Sequence, residues 1–282
     1  MNDILLNNMP PFLRSVLAIM TPLLFAATGG LFPALAGTLN IALEGLLLAG
    51  AFSALTVFHF TGSVLAAVAA AACVSMILSA LHAFTAFRLR ANLFITGLAV
   101  NLFSAGFCVV LSDRFFNTRG VVTAGNIPGL LSRYVFFGLI LLLISWVIIG
   151  KTPFGYRLRA CDKSSEALVS LGINPQSYQT AALLISGFFC GIGGSFLSLN
   201  LGAFVPGMSA GKGWIALVII FLGVRKPQGI LAAALVFAFA EAFSNRAQGF
   251  WNIPADFILA FPYICTLIAM IIVSVLMTKQ NK

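Results

Sequence analysis

The chain has 282 residues, of which 60% are hydrophobic and only 8% charged, with a mean hydropathy of +1.05 and a net charge of +9. A soluble domain carries about a quarter of its residues as Asp, Glu, Lys and Arg. This composition therefore excludes a water-covered globule and points to lipid, where apolar side chains can face outward. The bases fall in short connections between apolar segments and form no aromatic-interleaved basic patch. The positive-inside bias of membrane proteins explains that pattern more simply than nucleic-acid binding does.

In chain order, the first apolar stretch begins after Arg14 and runs on without an A-x-A-like exit, so it reads as a spanning helix and not as a cleavable leader. From Ser15 to Phe87 the one charged residue is Glu44, and the run is long enough for three passes of about 20 residues each. Gly29-Gly30, Pro33 and Gly37 are expected to break the first from the second, and Thr61-Gly62 the second from the third. Ala91 to Ser112 gives a fourth pass and Tyr134 to Gly150 a fifth. The stretch from about Lys151 to Gln179 is the most polar of the chain. Another charge-free run, from Ile173 to Gly211, enters the membrane near Thr180 and carries Gly187, Gly191, Gly193 and Gly194, which let helices approach closely. A short piece, Trp214 to Gly223, and the runs Pro227 to Ala240 and Phe257 to Met277 complete the series. The expectation is one all-α membrane domain over residues 1–282, a polytopic bundle of about eight or nine segments, some broken or re-entrant.

Arg88, Arg90, Lys151, Arg157, Arg159, Lys163, Arg225, Lys226, Lys279 and Lys282 fall on one side of this series. Arg114, Arg119, Arg133, Lys212 and Arg246 fall on the other. The richer group is assigned to the cytoplasm, which places the polar stretch and the C-terminus there. The side of the N-terminus depends on whether the segment around Asn40 spans fully. An internal echo links Ala36-Gly37…Ile41-Ala42-Leu43 with Ala210-Gly211…Ile215-Ala216-Leu217. It is either a trace of a structural repeat or chance among abundant residue types.

Three constellations could carry function. In Gly37-Thr-Leu-Asn40-Ile-Ala-Leu-Glu44-Gly45, Asn40 and Glu44 are four apart and would share a helical face. A carboxylate among apolar neighbours is costly in lipid, so it should face the bundle interior. It reads as a hydrogen-bonding clasp between helices or as a polar element of a permeation path, with the clasp preferred. In the polar stretch, Ser164 or Ser165 is expected to cap a helix with Glu166 in its first turn. Ala167, Leu168 and Leu171 would give that helix an apolar face, with Gly172 ending it and Pro175 beyond. Such a helix suits docking to a partner or lying at the membrane interface. The third constellation holds Gly207, Gly211 and Gly213. Gly211-Lys212 is not a phosphate loop, because Pro206 and Gly213 replace the first glycine and the Ser/Thr, so nucleotide binding is rejected. These glycines are expected to allow tight turns near a broken helix. His59 and His82 lack ligand-spaced partners, so no metal is expected. The dispersed cysteines (Cys73, Cys108, Cys161, Cys190, Cys265) read as small buried hydrophobes. Glu241 reads as a capping or snorkelling residue near a helix end. Hydrolase motifs are absent from the sequence.

Taken in this order, the constellations resemble the membrane permease subunits of bacterial ABC importers, in the branch that handles branched-chain amino acids, simple sugars and nucleosides. GTLNIALEGLLLAGAF (Gly37 to Phe52) is similar to the N-I-G-x-E-G segment of nucleoside-type permeases. TPFGYRLRA (Thr152 to Ala160) followed by EALVSLGIN (Glu166 to Asn174) resembles the family's cytoplasmic coupling loop. GMSAGKGWIALVIIFLGVRKPQG (Gly207 to Gly229) resembles its late glycine-rich segment. Asp162 stands where the family has a small residue, Ser164-Ser165 where it has N-P, and Ala42 where glycine is commoner. The resemblance implies half of a translocation pathway for a small polar solute, most fittingly a nucleoside. It implies a second, related permease subunit as partner in a heterodimer, and an extracytoplasmic substrate-binding protein. It also implies cytoplasmic ABC ATPase subunits docked on Gly155, Arg157, Arg159, Glu166, Ala167 and Gly172. The chain itself would have no catalytic residues, cofactor or metal, and would be a multi-pass protein of the bacterial inner membrane. Asn40 and Glu44 would lie near the path. Alternatives are a sugar or branched-chain amino acid permease, or an ion-coupled secondary transporter, for which Glu44 would be the coupling carboxylate.

Overall fold

The computed structural model describes residues 10–125 and 130–247. Among them are ten helices and one two-residue strand pair. They run α1 (Pro11–Leu35), α2 (Leu43–Thr61), α3 (Val64–Ala83, extended by a π-helical turn Phe84–Arg88), α4 (Leu93–Phe116), β1 (Val122–Thr123) and α5 (Leu130–Lys151). There follow α6 (Pro153–Lys163), α7 (Ser165–Ser170), α8 (Pro175–Leu201), β2 (Ala203–Phe204), α9 (Lys212–Leu222) and α10 (Pro227–Ala247). Seven of the helices are long and apolar enough to cross a bilayer, and α9, at 11 residues, is not. The expected run Phe257 to Met277, with Lys279 and Lys282, lies outside the described residues.

The helix ends follow local chemistry. Pro11 and Pro175 open α1 and α8 at the position where a missing N–H costs nothing. Asn92 and Asn174 accept hydrogen bonds from the first-turn N–H groups of α4 and α8. Gly62 ends α2 in the left-handed region, as expected for Thr61-Gly62, and Ser63 caps α3.

One boundary differs from expectation. Gly29-Gly30 and Pro33 do not break the first pass, because α1 continues to Leu35 and the interruption is Ala36–Ala42, with Gly37 at φ +75. Gly29 serves packing instead: a Cβ there would stand 2.6 Å from Cβ of Phe189 on α8. The run to Gly211 divides into several elements. α8 stops at Gly202, β2 pairs with β1 in antiparallel register (Val122↔Phe204), and the chain then turns back towards the bundle.

α1, α2 and α8 form the centre of the bundle, with Leu23, Phe25, Leu46, Leu47, Phe196 and Leu199 fully buried. α3, α4 and α5 pack outside them and expose Leu65 and Ile77 (α3), Leu102 (α4) and Leu143 (α5). This apolar outer surface is stable only against hydrocarbon. Where α8 crosses α2 the backbones touch. A Cβ on Gly194 would run into the Leu47 carbonyl oxygen, with the Ala51 nitrogen 2.8 Å away. With no hydrophobic drive between helices in lipid, such close approach is what holds them.

The Arg225 guanidinium lies 3.3 Å from the Asp162 carboxylate, and Gln179 Nε2 donates to the Ala36 carbonyl at 3.2 Å. The Ala36–Ala42 break, the polar stretch and the 223–226 turn therefore share one end of the bundle, called the polar end below. The β1–β2 pair marks the opposite end. α1–break–α2–turn–α3 is matched by α8–break–α9–turn–α10, and the two series run in opposite directions through the bundle. The echoed motifs occupy equivalent places: Gly37 (φ +75) precedes α2, and Gly211 (φ +82) precedes α9.

Candidate functional site: the paired breaks and the polar loop

α2 begins at Leu43, so the N–H groups of its first turn have no helical partners. Asn40 Oδ1 accepts from Ala42 N at 3.1 Å, and Asn40 Nδ2 donates to Ser186 Oγ of α8 at 2.9 Å. Asn101 of α4 accepts from Gly45 N at 2.8 Å and donates to the Ile41 carbonyl at 2.9 Å. Asn101 was not singled out in the sequence, although an amide in the middle of the apolar run Ala91 to Ser112 was a usable signal.

Glu44 does not pair with Asn40. The spacing of four would align them only on a continuous helix, and Asn40 lies outside α2. Glu44 reaches across to α9 instead. Its Oε1 accepts from Gly211 N at 2.8 Å and its Oε2 from Gly213 N at 2.7 Å. Gly211 is the N-cap of α9 and has no side chain to cap with, so the Glu44 carboxylate takes that place. Negative charge at a helix N-terminus also complements the macrodipole. A Cβ on Gly213 would collide with the Glu44 backbone, so the absence of a side chain lets the carboxylate arrive. Gly207, at φ +74, turns the chain between β2 and α9 with open space around it. Lys212 does not lie in a connection at the far surface, as expected, but in the first turn of α9 beside these bonds.

At the polar end, Thr152 caps α6 by accepting from Gly155 N at 3.3 Å. Gly155 is buried under the end of α5, where a Cβ would run into the carbonyls of Ile148 and Ile149. Arg157 donates to Tyr178 Oη at 2.8 Å, and Arg159 stacks over the Tyr156 ring, 5.0 Å from its centroid. Cys161 is buried against α8, and that burial pushes its thiol pKa up, so it stays protonated and inert. Cys73, by contrast, is exposed on α3.

α7 departs from expectation in two ways. The Ser164 side chain makes no capping bond, and of the predicted apolar face only Leu168 is buried. Leu171 is 74% exposed, Val169 62%, and Glu166 and Ala167 are exposed. One short helix cannot bury both flanks against the bundle, so a polar and apolar rim is left open. Gly172, at φ +74, ends the helix.

Residues 12–277 match the family described as branched-chain amino acid transport system / permease component. The chain is 33% identical to the guanosine ABC transporter permease protein NupQ of Bacillus subtilis, over 91% of this chain and 89% of that one. It is 29% identical to the nucleoside ABC transporter permease protein NupC of Lactococcus lactis, over 94% and 92%. PsaBC from Streptococcus pneumoniae, solved in complex with Fab, superposes with a TM-score of 0.59 at 10% identity, over 93% of this chain and 91% of that one, a likeness of fold.

Proposed function

The chain belongs to the branched-chain amino acid transport system permease family, and we propose that within it this protein carries nucleosides as the membrane-spanning half-pathway of an ATP-driven importer. The observation that carries the reading is the similarity, over 91% and 94% of this chain, to two permeases whose names specify guanosine and nucleosides. Transport is ATP-driven by partner chains, and this chain forms and breaks no covalent bond.

The open rim of α7 supports docking of cytoplasmic ATPase subunits. Glu166, Ala167, Val169 and Leu171 offer a mixed polar and apolar surface on a helix held to the bundle by Leu168. Gly155 and Arg157 act behind it by fixing the loop on α5 and α8, Arg159 with Tyr156 shapes its flank, and Gly172 closes the turn. With that rim in the cytoplasm, the β1–β2 end faces outward, where a substrate-binding protein delivers cargo. A second permease subunit completes the pathway. Glu44 and Asn40 fix the two breaks to their neighbours and so hold the geometry beside the path.

Uptake of labelled nucleosides, sugars and branched-chain amino acids in a strain deleted for this chain tests the proposal. Selective loss of nucleoside uptake, restored by the intact gene, is the expected result. Unchanged nucleoside uptake with loss of another class would sink the cargo assignment. Transport by the purified chain on an ion gradient alone would sink the ATP-driven reading.

A further inference from the structure

Two charged side chains in the described bundle have no direct partner where lipid would be expected. α9 and α10 both end at the 223–226 turn, at the polar end. At about 1.5 Å of rise per residue, Lys212 stands about 15 Å above Leu222, and Glu241 about 21 Å above Pro227. Both depths fall within a hydrocarbon layer of about 30 Å. α9 and α10 pack against each other, so the two residues stand on neighbouring helices. Neither belongs to the two ion pairs among the described residues, Arg119–Asp113 and Arg225–Asp162. Both are partly exposed.

The direction of that exposure matters. Glu241 lies on the face of α10 that carries the buried Ile230, Ala234 and Phe237, whereas Val236, Phe239 and Phe243 are exposed on the other face. Glu241 therefore points into the bundle and not into lipid. A charged group at this depth costs about 2.5–3.5 kcal/mol even by the mildest scales unless it is paired or hydrated. Among the described residues neither group is paired at contact distance, so Lys212 is hydrated and Glu241 is hydrated or protonated.

We propose that Lys212 and Glu241 line the aqueous solute pathway at mid-membrane depth, at the head of the half-helix α9, and touch a neutral, hydrogen-bonding solute there. The positive end of α9 is not open to an anion, because the Glu44 carboxylate already accepts from Gly211 N and Gly213 N. The Lys212 ammonium is offset by Glu241. What the site offers is one donor group and one acceptor group, a fit for hydroxyls and amides of an uncharged solute. The solute class rests on the importer reading above; the presence of water at these two residues does not.

The test places single cysteines at 241, 212 and 236 in a chain whose five native cysteines are replaced, expressed with its native partners. A membrane-impermeant cationic methanethiosulfonate is then added from outside. E241C and K212C are expected to react at least about tenfold faster than V236C, whose thiol faces lipid and cannot ionise. Excess guanosine should slow both reactions. If E241C and K212C are as slow as V236C, the pathway assignment is overturned. If they react fast but neither guanosine nor any other neutral solute protects them, the solute contact is overturned. Fast reaction with protection by a different neutral solute upholds this inference and defeats the nucleoside reading. Should the cysteine-free chain lose uptake, the same three substitutions go into the wild-type background, with reagent-dependent loss of uptake as the readout. E241C and K212C should then lose uptake, and V236C should not.

Discussion

At the scale of single residues, Glu44 binds together two parts of the chain 167 positions apart. Replacing it with Leu would strand the N–H groups of Gly211 and Gly213, at about 1–3 kcal/mol for each buried donor. Gln keeps one acceptor and should cost about half as much. Thermal unfolding in detergent should therefore rank wild type above Glu44→Gln above Glu44→Leu, with uptake following the same order. Equal damage from both variants would point to a role for the charge itself. The sequence made Glu44 conspicuous, because a lone carboxylate in an apolar run needs a reason. It did not disclose the partner. The relation of Asn40 to Glu44 was misread because spacing arguments assume a continuous helix, and the helix starts between them.

At the scale of elements, the polar stretch separates anchor from rim. Leu168→Asp places a charge where a buried leucine holds α7 to the bundle and should lower the melting temperature through an unpaired buried carboxylate. Val169→Asp with Leu171→Asp changes only exposed positions. It should leave stability within about 0.5 kcal/mol yet abolish co-purification of the ATPase. Retention of the ATPase by that double variant would remove α7 from the docking surface. Packing between elements gives a third expectation. Gly194→Ala pushes a methyl into the Leu47 carbonyl and should cost about 1–3 kcal/mol by overpacking, read as a lowered melting temperature. The glycine-rich character of α8 was visible in the sequence. Gly29-Gly30 looked like a break for the same reason, since glycine permits both a turn and a close contact. Phe189 on the facing helix decides between them.

At the scale of the whole molecule, the two series of helices run in opposite directions, so the chain enters their breaks from opposite ends, and the helices that follow, α2 and α9, meet where Glu44 caps α9. Sidedness can be measured directly. A cysteine replacing Arg119 should react with an impermeant maleimide in intact cells, and one replacing Lys163 only after lysis. The reverse pattern would invert the assigned orientation.

By itself the sequence determined that the chain lives in lipid, where the passes among the described residues lie within a few residues, which stretch is the most polar, and which family motifs it carries. Those are properties of local composition, because the cost of each side chain in hydrocarbon is nearly independent of its neighbours. Only the tertiary structure decided that Glu44 caps a helix far along the chain, that Asn101 secures the first break, and that α7 keeps its apolar rim uncovered. Hydrogen bonds and close backbone contacts depend on which helices lie side by side, and no periodicity within a single helix encodes that choice.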